Sequence, residues 1–114
     1  MDSVLYEKSI SLQDVPSFQF GEGVVFNVAI TDKISAGLLK IPAGQQAGYD
    51  KGHPNADEIF YIINGIAKVH FPVSGKAEQV EKGKFILMPR GLPHLVENVG
   101  EDEVILLWAC APKG

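Results

Sequence analysis

The chain is short of several things that would otherwise steer its interpretation. It has a single cysteine, Cys110, so an intrachain disulfide is impossible and no thiol-based metal cluster can be assembled. Cys110 sits between Ala109 and Ala111, surroundings that read as a buried small hydrophobe with no further role. Long apolar runs are missing too: the longest uninterrupted one, Val104 to Ala111, is far too short to span a bilayer. The opening MDSVLYEKSI is acidic and has no apolar targeting core, so a soluble, cytoplasmic protein with no membrane partner is expected. Basic residues are few and dispersed, and the formal net charge is -4, which leaves no patch able to track a phosphate backbone; nucleic acid is not an expected partner.

Sustained helical periodicity is also absent. Apolar residues do not recur at helical spacing over any window of useful length, and Pro16, Pro42, Pro54, Pro72, Pro89 and Pro93 interrupt most candidate segments. What is present is regular punctuation. Turn residues at Gly21 and Gly23, Thr31-Asp32-Lys33, Pro42-Ala43-Gly44, Asn64-Gly65, Ser74-Gly75, Lys82-Gly83 and Gly100-Glu101-Asp102 separate short β-rich runs. Those runs are Val24 to Ile30, Ile34 to Ile41, Ile59 to Ile63, Ala67 to Val73, Phe85 to Met88 and Val104 to Ala109. The class is all-β, with a sandwich, jelly roll or small barrel as the architectures that fit turns every roughly 8–12 residues. Asn64-Gly65 between two runs predicts a two-residue type I′ hairpin. No segment recurs and no linker divides the 114 residues, so one domain is expected.

Two of the three histidines lie in strongly patterned surroundings. A turn carries His53 and the next strand opens with Glu58; later, a strand from Phe85 runs into a Pro/Gly-rich turn that presents His94. Gly83, Pro89, Gly91, His94 and Asn98 stand at the spacing of the second motif of the cupin superfamily, and His53, Glu58 and Gly65 at that of the first. The chain thus resembles a small single-domain cupin over essentially its whole length. It departs at one place: the family's first histidine, two positions before His53, is Lys51 here.

The resemblance implies a double-stranded β-helix, or jelly-roll, barrel with a core over about residues 22–112, whose interior binds a divalent metal through His53, Glu58 and His94. Alternation supports the transfer: Glu58 shares a strand face with Phe60 and Ile62, and a carboxylate turned into a barrel needs a positive partner. Fe, Mn, Zn, Ni, Co or Cu would suit two imidazoles and one carboxylate. Asp50 or Tyr49 would have to replace the missing imidazole for a fourth ligand. Lys51 either extends to solvent, binds an anionic substrate and steadies developing negative charge, or pairs with Glu58. Glu58 and Lys51 are therefore the catalytic candidates, and Tyr49, Lys51, Phe60 and Trp108 the substrate-binding ones, with core packing the commoner role for a residue like Trp108. His70 shares a face with Lys68 and should point outward, Tyr61 should face away from Glu58, and Arg90 should be a solvated turn residue.

The implied function is a metal-dependent enzyme acting on a small organic molecule, a dioxygenase, isomerase or lyase. The alternative is a non-catalytic binding or sensing module. The family is commonly homodimeric, so a homodimer is expected, with Met1 to Phe20 available to exchange between subunits.

Overall fold

The computed structural model describes residues 5–113. The chain is all-β, with one short 3₁₀ turn at Leu12–Asp14 as its helical element among the described residues. Nine strands follow: β1 (Ser17–Phe20), β2 (Gly23–Ile30), β3 (Ser35–Ile41), β4 (Asp57–Asn64), β5 (Ile66–Phe71), β6 (Lys76–Glu81), β7 (Phe85–Met88), β8 (Leu95–Asn98) and β9 (Val104–Ala111). They form two antiparallel sheets: six strands in the order β1-β2-β3-β9-β4-β7, and three in the order β6-β5-β8. Three strands escape the sequence reading in whole or in part. Of these β6 is the plainest case: in Lys-Ala-Glu-Gln-Val-Glu only Val80 is buried, as suits a charged edge strand that resists pairing with another chain.

Period-two alternation decides what faces inward. Along β4, Glu58, Phe60 and Ile62 are buried while Asp57, Ile59 and Ile63 are exposed. Strand β3 alternates without a break, burying Ser35, Gly37, Leu39 and Ile41. Ile41, Ile62, Ala67, Val69, Val104 and Leu106, each with no exposed surface, fill one end of the space between the sheets. Register places the other end. Cys110 on β9 pairs with both Ser35 on β3 and Glu58 on β4, whereas Ile41 pairs with Val104 six residues away along the same strands. One end of the barrel is therefore a closed apolar core, and the other carries the polar and ionisable side chains.

Two expectations need correction. Asn64-Gly65 is not a hairpin turn: β4 lies in the larger sheet and β5 in the smaller, so the pair is a corner at which the chain changes sheets. Gly65 takes φ +86, and a side chain there would meet the Glu103 carbonyl at 2.8 Å; the Asn64 amide donates to that same carbonyl at 2.8 Å. The barrel wall also begins earlier than residue 22, because β1 pairs with β2 of its own chain throughout Ser17–Phe20. Residues 1–4 of the segment expected to exchange between subunits lie outside the described residues. No helix among the described residues is long and apolar enough to cross a membrane.

Candidate metal centre

The segment before β4 and the turn before β8 are joined through their backbones. Asp50 and His94 exchange both hydrogen bonds of an antiparallel bridge, N–H to carbonyl at 2.9 Å each way, and the Gly91 N–H donates to the His53 carbonyl at 2.9 Å. Asp50 and His94 are thus direct neighbours in a ladder, with side chains on the same side. Gly52 makes the docking possible. It sits at φ +88, and a Cβ there would lie 2.7 Å from the Gly91 carbonyl carbon and 2.8 Å from the Leu92 nitrogen.

That turn decides which residues face the site. On either side of the positive-φ Gly52, Asp50 and His53 both line the cavity, whereas Lys51 between them is exposed and is not among the lining residues. Of the alternatives for Lys51, the side chain that extends to solvent is the one this structure holds. Tyr49 is likewise exposed, at 51%, and is not among the residues that line the cavity. Of the two possible replacements for the missing imidazole, Asp50 is the one in place. Its Oδ1 accepts the Gly52 N–H at 2.8 Å, which turns Oδ2 toward the imidazoles, 3.5 Å from His94 Nε2 and 3.7 Å from His53 Nε2.

His53, Glu58 and His94 are brought together. Glu58 Oε1 lies 3.1 Å from His94 Nε2 and 3.7 Å from His53 Nε2. The protonation pattern makes this geometry informative. His94 Nδ1 is 2.9 Å from the Leu92 carbonyl, which can only accept, so the ring donates through Nδ1 and its neutral form presents a bare lone pair at Nε2. Glu58 Oε1 is an acceptor as well. Both atoms are buried and neither has a hydrogen-bond partner; they lie 3.1 Å apart, and with Nε2 unprotonated there is no proton to share between them. Two acceptors facing each other out of water need a positive charge between them, a proton or a metal ion. The effect of the first is visible in His94 itself. Burial pushes its pKa down, but contact with Glu58, the Leu92 carbonyl and the charges of Asp50 and Glu58 outweigh it, so the value is raised above 6.5.

Donor atoms of Asp50, Glu58 and His94 all lie within 4.8 Å of one another, as do those of His53, Glu58 and Cys110. The residues present therefore fit a divalent ion, with Asp50, Glu58 and His94 as one close set and His53 Nε2 3.7 Å from each of the two carboxylates. Cys110 is buried, as the sequence suggested, but it is not an inert filler. Its thiol donates to Glu58 Oε2 at 3.3 Å, leaving Oε1 to face the imidazoles. Burial first, and the Glu58 charge second, push that thiol up to about 12, so in the metal-free protein it is a protonated donor. The period-two phase of β9, which also turns Trp108 inward, was the one sequence signal that pointed to it.

The cluster lies against a cavity of about 500 Å³. Phe60 and Trp108 line it as expected; the Phe60 ring meets His94 edge-on with centroids 5.6 Å apart, and the Trp108 indole is fixed by a 3.0 Å hydrogen bond to the Leu38 carbonyl. His70, by contrast, is outside, paired with Glu97 at 2.9 Å, Tyr61 packs against Phe85 on the outer face, and Arg90 is exposed in its turn.

Comparison with known proteins agrees with the fold. The solved structure of an uncharacterised conserved protein with a double-stranded β-helix domain from Klebsiella pneumoniae superposes with TM-score 0.78 at 21% identity, over 91% of this chain and 89% of that one. A predicted oxalate decarboxylase from Thermotoga maritima gives TM-score 0.72 at 19% identity, over 90% and 97%. At these identities the likeness is one of fold, a jelly-roll barrel. In sequence, the uncharacterised protein SCO3923 of Streptomyces coelicolor is 28% identical over 81 residues, 70% of this chain and 72% of that protein. The family described as "Cupin domain" matches residues 37–110, a span that takes in Asp50, His53, Glu58, His94 and Cys110 alike, and the chain belongs to the cupin family.

Proposed function

We propose that this cupin is a metal-dependent enzyme acting on a small organic molecule, with a divalent ion held by Asp50, His53, Glu58 and His94. The observation that carries the reading is the facing pair of buried, partnerless acceptors, Glu58 Oε1 and His94 Nε2, set against a cavity large enough for an organic molecule. When bound, Fe, Mn, Zn, Ni, Co or Cu would supply Lewis acidity and, for the redox-active metals, a site for dioxygen.

The chain's own part is to hold and shield. The Leu92 carbonyl fixes the His94 ring, the Gly52 amide fixes Asp50, and the Cys110 thiol fixes Glu58, so three of the four donors are oriented before anything binds. Phe60 and Trp108 form aromatic walls of the cavity beside the donors. Oxygenation is the reaction to test first, with isomerisation and lyase chemistry the non-oxidative alternatives.

One observation favours a non-catalytic binding module instead. Outside the donor cluster the polar side chains that line the cavity are Asn27, Ser35 and Lys113, which supply no second acid–base pair. The experiment that separates the two reconstitutes the protein anaerobically with Fe(II) or Mn(II), admits O₂ and measures its consumption and product formation across a substrate panel. Metal-dependent turnover is expected; ligand binding without turnover would give the site to a binder. We propose in addition that the protein works as a homodimer.

A further inference from the structure

Most of the cavity wall is apolar. Phe20, Val25, Leu39, Phe60, Val96 and Trp108 close it from both sheets, and the ionisable groups are gathered at one end. The replacement of an imidazole by a carboxylate changes the charge at that end. Asp50 and Glu58 together carry a formal charge of -2, which cancels a divalent ion held between them and the two neutral imidazoles. A centre with one carboxylate would keep a net positive charge and attract anions; this one keeps none. Without the ion the same end is negative. The lone cation of the lining, Lys113, is exposed, where water and salt screen it.

We infer that the substrate or ligand is a neutral, largely apolar small molecule, of the size of a substituted aromatic ring and bearing an oxygen donor, and that carboxylates such as oxalate are excluded. This deepens the proposed function and rests on Asp50 belonging to the donor set. The apolar walls receive the body of the molecule by removing apolar surface from water, while an anionic head would have to leave water beside two carboxylates with no net positive charge to receive it.

The test uses two molecules of nearly the same shape, 4-nitrobenzyl alcohol and 4-nitrobenzoate, with oxalate as the small anion. Each is titrated calorimetrically into the full chain, metal-free and Zn(II)-loaded, with Zn(II) content measured by elemental analysis. Trp108 is the sole tryptophan and lines the cavity, so quenching of its fluorescence reports whether binding occurs there. The alcohol should bind and quench saturably, with 4-nitrobenzoate weaker by at least about tenfold in both states. Asp50→Asn, which removes one charge at nearly constant shape, should narrow that gap several-fold. Equal or tighter binding of 4-nitrobenzoate or oxalate by the Zn(II)-loaded protein would overturn the inference, as would a gap that Asp50→Asn leaves unchanged. A protein that takes up no Zn(II) yet still discriminates when metal-free would support the neutral-ligand inference while sinking the metal reading, so the two failures are distinguishable.

Discussion

At the scale of single residues, the site is defined by which atoms lack partners rather than by which residues are present. His94 shows this most clearly. Its ring is tied at Nδ1 and bare at Nε2, and the raised pKa means that the folded, metal-free protein holds a proton there more tightly than the unfolded chain does. The sign follows from that. The stabilisation is fully present below 6.5, the ordinary value, and is lost as pH rises through the higher folded-state value. Metal-free protein should therefore show a melting temperature that falls as pH is raised from below 6.5 into the alkaline range, and His94→Gln should flatten the slope; a melting temperature that rises over that interval would contradict the assignment. Part of this was legible beforehand. Glu58 and His94 follow from the motif resemblance, with alternation supporting Glu58, but Asp50 is only one of two options for the fourth donor, and the resemblance leaves open which way Lys51 points. The reason is local: a positive-φ glycine one residue past Lys51 changes which neighbour of His53 faces inward, and no spacing rule carries that information.

At the scale of elements, the strands were easier to read than their partners. Runs with unbroken alternation or strong apolar content, β3, β4 and β9, were found with small shifts at their ends. The charged edge strand β6 was missed because pairing, not burial, makes it a strand. The Asn64-Gly65 corner was misread for a related reason: a turn signal says that the chain bends, not whether the next strand returns to the same sheet. Two turns far apart in sequence, 50–53 and 91–94, behave as one unit through the Asp50–His94 bridge and the Gly91–His53 hydrogen bond. Asn98 supports that unit from the other end of β8, its amide donating to the carbonyls of Ile41 at 2.9 Å and Asp102 at 2.8 Å, which accounts structurally for its place in the motif. Gly52→Ala should break the docking of the turns. It combines a left-handed backbone with a clash against Gly91 and Leu92, so a loss of about 1–3 kcal/mol in chemical denaturation is expected, together with weaker metal binding. Wild-type stability in that variant would mean that the two turns are not coupled.

At the scale of the whole molecule, the larger sheet has two different faces. Its inner face makes the core and the cavity; its outer face exposes Ile59, Ile63, Phe85, Leu87 and Leu107, with Ile59 opposite Leu87 and Tyr61 opposite Phe85 across the β4–β7 pair. A contiguous apolar row of this kind suits a self-association surface. Light scattering coupled to size exclusion should give a dimer mass, and Leu87→Glu should reduce it to a monomer without loss of metal; a monomer at micromolar concentration in the unaltered protein would contradict a dimer.

The central claim, that Asp50 with His53, Glu58 and His94 forms the metal centre while Lys51 stands outside it, is tested most directly by Zn(II) or Co(II) affinity. Calorimetric titration of the unaltered protein, Asp50→Ala and Lys51→Ala should give one bound ion, a loss of at least roughly tenfold in affinity for Asp50→Ala, and no loss for Lys51→Ala. No uptake by the unaltered protein, or a loss that follows Lys51 rather than Asp50, would contradict it.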